Sequence, residues 1–491
     1  VKDMGLNTIR LEGKLEDEPF FDIADREGIL VMPGWCCCDH WEKWDKWDAE
    51  DLPIAVASLR DQLLRLRGHA SVLTWMNGSD GPPPANVERA YLDVLKETGF
   101  PNPVVSSATE KKAEVTGESG VKMRGPYEWV PPLYWYTDTK YGGPHGFATE
   151  IGPGPSPPPL ESLRRFLPEE QLWPINEAWS YHCGGGPFKT LDVFTKAMDA
   201  RYGPSKGVDE YARKAQAAAY ESHRAMLESF GERKYTATGV IQWMQNNAWP
   251  GMIWHLYDFY LRPGGSYFGA KKAGEPLHVQ FAYDDRSVVV VNSTLQEHRG
   301  LKVTVRVFDL ASKERLAQTV EPVDVGPDSS VKVLRAQEPP GLTPTYFLAL
   351  QLDNAAGHTV SRNVYWLSTK KDVLAWDKSD WYYTPVTEYA DLTGLQRLPP
   401  AEVTATARFE SGRALVTLQN PSKALAFLVH LAVRKGKGGE EVLPVLWEDN
   451  YLTLLPGETR EIEARYAPKD VGGSTPVVTV DGWNVAEATA Q

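Results

Sequence analysis

The chain has 491 residues, 42% hydrophobic and 24% charged, with 41 Gly and 37 Pro. That size predicts about three globular domains, and the composition excludes disordered and collagen-like chains. A formal net charge of -13, from 52 basic and 65 acidic side chains, argues against nucleic acid as partner and favours a neutral or cationic one. No apolar run reaches the ~20 residues of a membrane-spanning helix, so no membrane partner is expected.

The four cysteines, Cys36, Cys37, Cys38 and Cys183, form neither a disulfide scaffold nor a CxxC metal motif, and are expected to be unpaired structural thiols. His69 and His182 lack metal-ligand spacing and read as structural or rim residues. No metal and no cofactor is expected. The sequence opens at Val1, directly before a strand, with neither initiator Met nor signal peptide, and reads as a piece of a longer protein.

In chain order, residues 7–11 predict a strand, 19–28 a helix and 29–32 a second strand. Residues 52–67 predict a helix with Ile54, Leu59, Leu63 and Leu66 on one face and Gly68 as its stop. Strands are expected at 71–75, 103–106, 133–136, 146–149 and 239–243, with a long helix over 208–230 ended by Gly231. Apolar strands alternating with helices predict a parallel sheet covered on its outside. The strand count points to a (β/α)₈ TIM barrel whose first strand is missing, spanning residues 1–274.

Beyond it, 275–370 predicts an immunoglobulin-like β-sandwich, with strands at 277–281, 287–292, 302–308, 330–334, 345–352 and 362–367. A linker over 371–400 carries Trp376, Trp381, Tyr382 and Tyr383, too aromatic to be a free tether. A second sandwich is expected over 401–484, with strands at 401–409, 413–419, 426–434, 450–454 and 459–467, then a tail to 491.

Barrel chemistry sits at the C-terminal ends of the strands, and two carboxylates fall there. Asp80 ends the fourth strand in Asn77-Gly78-Ser79-Asp80, and Glu150 ends the seventh in Ala148-Thr149-Glu150. Facing carboxylates can hold opposite protonation states, one donating a proton to a leaving oxygen while the other attacks, which is the apparatus of glycoside hydrolysis. Strand-end carboxylates also serve as helix caps and loop anchors. Trp35 and its neighbours Trp41, Trp44 and Trp47, together with Tyr134, Trp135 and Tyr136, supply flat rings among polar residues, as sugar faces require. Core filling is the bland alternative.

At these residues the sequence resembles the family 2 glycoside hydrolases, and within them the bacterial exo-β-D-glucosaminidases. The likeness runs through Arg10-Leu11-Glu12-Gly13, Met32-Pro33-Gly34-Trp35, Gly78-Ser79-Asp80, Tyr134-Trp135-Tyr136 and Asn363-Val364-Tyr365-Trp366. It implies a retaining enzyme with Asp80 as acid/base and Glu150 as nucleophile, their carboxyl groups about 5 to 5.5 Å apart. It also implies chitosan or chito-oligosaccharides as substrate, and a secreted protein. Most of the family ends strand four with Asn-Glu, where this chain has Ser79-Asp80, as the glucosaminidases do. The shorter Ser79 leaves room beside the sugar C2.

Glu12, ending the second strand, is expected to pair with the 2-amino group of glucosamine. A buried partnership with Arg10 or Lys14 is the structural alternative. Trp243 and Asn246, after the last strand, complete the expected substrate-binding set. Asn176-Glu177 spells the general family pair but lies beyond the strand-seven carboxylate, out of order. Asn292-Ser293-Thr294 matches a glycosylation sequon, a motif of low specificity. A β-mannosidase or β-galactosidase of the same family is the alternative enzyme, and an inactive polysaccharide-binding protein the alternative class.

Overall fold

A computed structural model describes the chain from Val1 to Ala490, in two compact units. The first comprises Val1–Gly125, Asp138–Ile151 and Tyr235–Trp243. Its strand β1 (Thr8–Leu11) pairs in parallel with β2 (Leu30–Pro33). The connecting helix α1 (Glu18–Glu27) begins with Pro in its first turn and ends at Gly28, whose φ of 70° suits a residue without Cβ. Parallel bridges Val31 to Val72 and Gly34 to Met76 continue the ladder from β2 to β3 (Trp75–Met76).

Helix α2 (Asp51–Leu66) precedes β3, and α3 (Ala85–Glu97) leads on to β4 (Val104–Val105), which pairs in parallel with β3. The strand β5 (Gly146–Ile151) pairs in parallel with β6 (Ala237–Gln242). On α2 the buried face is Ala55, Leu59, Leu63 and Leu66; Ile54, expected there, is 48% exposed. These helices cover one side of the strands through Leu59, Leu63, Val72, Trp75, Tyr91 and Val94. A smaller cluster of Met32, Met76 and Ala108, with Met123, Phe147 and Ile241 against it, gathers side chains from successive strands.

The strand expected at 133–136 is instead a helix, α4 (Pro132–Thr137), in the second unit. Pro132 supplies a preset helical φ at its start, and burial of Tyr134, Trp135 and Tyr136 overrides the β preference of aromatic residues. The extended segment next to β5 is at Lys122, which forms a parallel bridge to Ala148. Its N–H donates to Phe147 O at 2.9 Å and its carbonyl accepts from Thr149 N at 3.0 Å.

The second unit comprises Pro126–Thr137, Gly152–Lys234 and Met244–Gln491. After α4 come α5 (Leu160–Phe166), α6 (Glu177–Tyr181), α7 (Asp192–Tyr202), α8 (Val208–Glu232) and α9 (Gly265–Ala273). Asn176 caps α6 by accepting from Ala178 N at 2.9 Å, the local reason for the Asn-Glu sequence there. Gly231 lies inside α8 rather than ending it. Along α9, Gly265 and Gly269 let the backbone approach α8, since a Cβ would fall 2.0 Å from Gln216 O and 2.3 Å from Tyr220 O.

The first sandwich follows, with strands β7 (Leu277–Phe281), β8 (Ser287–Asn292), β9 (His298–Asp309), β10 (Glu314–Val325), β11 (Ser329–Arg335), β12 (Thr345–Asp353) and β13 (Thr359–Ser368). Its sheets run β10-β9-β12-β13 and β11-β8-β7, closed on a core of Val279, Val290, Val305, Val307, Leu348 and Leu350. Asn292 of the sequon is fully buried, donating to Gln296 O at 2.6 Å and Gly326 O at 2.7 Å, so its amide is not open to glycosylation.

The aromatic connection forms a hairpin of β14 (Val373–Leu374) and β15 (Val386–Glu388). Trp376 stacks on Tyr134 with centroids 5.7 Å apart, and the Tyr382 hydroxyl donates to Glu128 Oε2 at 3.0 Å. Burial pushes the Glu128 carboxyl up to about 7, against the lowering effect of its hydrogen bonds from Trp129 and Tyr382.

The second sandwich has strands β16 (Thr404–Glu410), β17 (Arg413–Gln419), β18 (Ala426–Arg434), β19 (Leu446–Trp447), β20 (Leu452–Leu454), β21 (Thr459–Arg465), β22 (Val477–Asp481) and β23 (Ala488–Thr489). They form sheets in the order β16-β17-β21-β19 and β20-β18-β22-β23.

Candidate active site

The site is built in the first unit, where the chain turns sharply after β1 and β3. After β1, Gly13 adopts φ +64° and sits on Cys37, where a Cβ would meet the Cys37 nitrogen at 2.4 Å. After β3, the turn at Gly78 is equally tight: a Cβ there would lie 2.3 Å from Gly81 O. Ser79 and Asp80 are thereby presented on a short, fixed turn, and Glu150 lies within β5 itself.

Arg10 is the hub. One guanidinium nitrogen donates to Glu150 Oε2 at 2.7 Å and another to Ser79 Oγ at 2.6 Å. Both Arg10 and Glu150 are buried, their side chains 3% and 6% exposed. Such a charge-assisted bond sets a carboxylate's position and supplies its counter-charge. Arg10 thus ties the end of β5 to the turn after β3, and Asp80 follows Ser79 on that turn. Glu12 lies 3.9 Å from Arg10 at its nearest oxygen, a loose ion pair, and its Oε2 accepts the Trp243 indole N–H at 2.8 Å.

Asp80 is open to solvent, yet the walls around it strip part of its hydration. That desolvation raises its pKa above the ordinary carboxylate range; the Glu12 charge raises it further, and Lys111 and Arg10 only partly oppose this. Glu42 braces the same turn, its two oxygens accepting from Ser79 N at 2.8 Å and Cys38 N at 3.0 Å. Burial raises the Glu42 pKa as well, with the Asp80 charge adding to it against those two backbone bonds.

The cysteines correct one expectation: Cys37 and Cys38 are joined to each other, and only Cys36 and Cys183 are free, both buried. Cys37 Sγ lies 3.4 Å from Glu12 Oε1. His69 is structural, hydrogen-bonded to Asp25 at 2.8 Å and Glu18 at 3.0 Å. Burial works against its charge, but those bonds outweigh it and raise its pKa. His182, in the second unit, is bonded to Pro250 O at 2.7 Å and stacked on Trp249.

Among the expected substrate-binding residues, Glu12, Ser79 and Trp243 are joined to the Arg10 network by the bonds above. Trp35 is half-buried, packed against Trp75 and Tyr91, and lines a groove of about 320 Å³ with Trp41, Leu15 and Gln62 that none of the three carboxylates lines. Tyr134, Trp135 and Tyr136 are almost fully buried in the second unit, and the Tyr136 hydroxyl donates to Phe281 O. Their faces are taken by neighbouring side chains, which corrects their expected role as a sugar wall. Asn246 is exposed, also in the second unit. Sequence reasoning missed Arg10 as the hub and Glu42 as the brace. Arg10 was visible only as a charge two positions before Glu12, and Glu42 lies among other acidic residues with nothing in its spacing to mark it.

Two carboxylates in unequal surroundings, one paired with a buried guanidinium and one open to solvent, are the kind of pair that glycoside hydrolysis uses. Residues 381–485 match the exo-β-D-glucosaminidase Ig-fold domain, and 284–372 the mannosidase Ig/CBM-like domain. Over 99% of its length the chain is 45% identical to an exo-β-D-glucosaminidase of Streptomyces avermitilis, of which it covers 56%. It is 41% identical over 100% of its length to that of Amycolatopsis orientalis, covering 50%. The chain spans about half the length of the curated relatives it matches.

The crystal structure of the Amycolatopsis orientalis exo-chitosanase CsxA superposes with a TM-score of 0.96 at 40% identity, across 100% of this chain and 60% of that one. Two variants of that enzyme, one with Glu and one with Asp replaced by Ala, were solved in complex with PNP-β-D-glucosamine. A β-D-mannosidase from Dictyoglomus thermophilum shares the fold, with a TM-score of 0.75 at 19% identity, over 99% of this chain and 57% of its own. By sequence and structure the chain is similar to the exo-β-D-glucosaminidases over about half of their length.

Proposed function

We propose that the chain carries the catalytic centre of a retaining exo-β-D-glucosaminidase, releasing glucosamine from the non-reducing ends of chitosan and chito-oligosaccharides. The observation that carries this reading is the Arg10 hub, which links Glu150 to the Ser79-Asp80 turn and leaves Glu12 only loosely paired. Two carboxylates with different surroundings, one against a guanidinium and one with a raised pKa, can take opposite protonation roles. The likeness to enzymes named for glucosamine supports the substrate.

In the first step Asp80 donates its proton to the glycosidic oxygen as Glu150 attacks the anomeric carbon, forming a glycosyl ester and releasing the shortened chain. In the second step Asp80, now a base, takes a proton from water while the water oxygen displaces Glu150 and restores its carboxylate. Arg10 positions Glu150 for attack and is its counter-charge before attack. Glu12, fixed by the Trp243 indole, binds the protonated 2-amino group of the sugar; its weak hold on Arg10 leaves that charge for the substrate. Ser79, held by Arg10, leaves space at C2.

The parallel ladder is read as seven staves of a (β/α)₈ barrel, with the segment at Lys122 as the sixth and the cluster of Met32, Met76, Phe147 and Ile241 as its filling. The domains are assigned as 1–274 catalytic, then sandwiches at 275–370 and 401–484. Secretion is proposed from the family likeness, since chitosan lies outside the cell. Hydrolysis of p-nitrophenyl β-D-glucosaminide, β-D-mannoside, β-D-galactoside and N-acetyl-β-D-glucosaminide by the purified protein tests the reading. The glucosaminide should be strongly preferred; a preference for mannoside, or no hydrolysis of any, would overturn it.

A further inference from the structure

Four side chains of types that can ligate a metal converge in the first unit, the candidate acid/base among them. Cys37, Cys38, Glu42 and Asp80 each offer a ligand atom within 4.8 Å of the others'. They come from two segments, the loop after β2 and the turn after β3, locked together by the Glu42 bonds to Cys38 N and Ser79 N. Cys38 holds φ 62°, a left-handed conformation uncommon for a residue with a Cβ. Backbone strain of this kind concentrates at functional sites.

In the structure the two sulfurs are bonded to each other, which leaves them neutral, weak donors in place of thiolates. We propose that reduction of the Cys37–Cys38 disulfide opens a two-sulfur, two-carboxylate site for a thiophilic divalent cation, and that filling it silences the enzyme by drawing Asp80 into coordination. The donor set suits a cation of the zinc or cadmium type, for which thiolate is the preferred ligand and four the usual number. Four negative donors exceed a divalent charge, and Arg10 and Lys111, whose charges already act on Asp80, offset part of the excess.

The chemistry balances. With a trialkylphosphine as reductant, the disulfide takes two electrons, the phosphorus is oxidised to the phosphine oxide with oxygen from water, and the two water protons go to the thiols. Binding of the cation then releases those two protons to solution. The inhibitory half of the proposal rests on the assignment of Asp80 as acid/base; the binding half does not.

The test uses cadmium ion and the purified protein before and after phosphine treatment. Expected is one cadmium per chain in the reduced protein alone, seen as thiolate-to-cadmium absorption in the ultraviolet. Hydrolysis of p-nitrophenyl β-D-glucosaminide should fall roughly 100-fold or more, the scale of lost proton transfer, and return with a chelator. Cys37→Ser and Cys38→Ser should each lose the absorption and the inhibition while keeping the melting temperature, whereas Cys36→Ala should keep both effects.

No cadmium absorption in the reduced wild type, or the same absorption in Cys37→Ser and Cys38→Ser, overturns the site. Absorption without inhibition overturns the coupling to Asp80. Absorption in a protein that hydrolyses no glycoside without cadmium upholds the site and overturns the proposed function instead.

Discussion

Two buried arginine–glutamate pairs in this chain look alike and differ in their surroundings. In the second unit Arg201 grips both oxygens of Glu221, the Tyr202 hydroxyl adds a third bond to that carboxylate at 2.8 Å, and Asp372 approaches Arg201 at 3.6 Å. The guanidinium also lies over the rings of Trp129 and Tyr202, and every participant is buried. In the first unit Arg10 divides its nitrogens between Glu150 and a hydroxyl, stands 3.9 Å from Glu12, and has a solvent-open carboxylate, Asp80, one residue beyond that hydroxyl. Burial of an ion pair is therefore no sign of chemistry by itself. On the proposed function, what sets the first pair apart is that its neighbours remain open and unequally charged.

Substitution at each pair sharpens the contrast. Glu150→Ala should lower turnover by about four orders of magnitude or more, since the attacking group is gone, with melting affected less than activity. Glu221→Gln should do the reverse: roughly 3–5 kcal/mol of stability lost because Arg201 is left with its charge poorly matched, and kcat/KM of the folded protein unchanged. Thermal melts and steady-state kinetics on the two variants check both. Equal activity loss in the two would erase the distinction.

Asp80→Ala should lower kcat/KM about 10²- to 10⁴-fold on chito-oligosaccharides and far less on aryl glucosaminides whose leaving group needs no proton. Equal loss on both substrates would count against Asp80 as the acid. The smallest effect is expected at Glu12. A charge-assisted hydrogen bond is worth roughly 1.5 to 3 kcal/mol, so Glu12→Gln should cut the preference for glucosaminide over glucoside by about 10- to 150-fold.

The same variant also moves the pH profile. Desolvation and the Glu12 charge both raise the Asp80 pKa, and the acid is active when protonated. Removing the Glu12 charge lowers that pKa, so the alkaline limb of kcat/KM should shift to lower pH. An unmoved limb would show that Glu12 does not act on Asp80.

The parallel ladder was legible in the sequence because its strands carry short apolar runs broken by amphipathic helices, and the ends of α1 and α2 follow Gly28 and the Leu59-Leu63-Leu66 spacing. The aromatic run at 133–136 misled because propensity favours strand while burial in the second unit and Pro132 favour helix. Strand β10 escaped because it is an edge strand with charged, alternating residues, a Pro322 and register shifts, the features that keep an edge from pairing further. Strand β22 was missed although its apolar run was in plain view.

Asp80 and Glu150 were singled out because the sequence puts them where barrel strands are expected to end. Arg10 and Glu42 could not be, because each acts through a partner distant in sequence: Arg10 meets Glu150 140 positions away and Glu42 meets Ser79 37 away. Periodicity carries no information at such separations.

The roles of the two carboxylates are tested most directly by azide rescue of Glu150→Ala and Asp80→Ala on an activated aryl β-glucosaminide, with the product's anomeric configuration read by NMR. If Glu150 is the nucleophile, azide takes its place in Glu150→Ala and gives the α-glycosyl azide in one displacement. In Asp80→Ala the ester to Glu150 still forms, and azide opens it to the β-glycosyl azide. A β-azide from Glu150→Ala, or an α-azide from Asp80→Ala, would contradict the assignment.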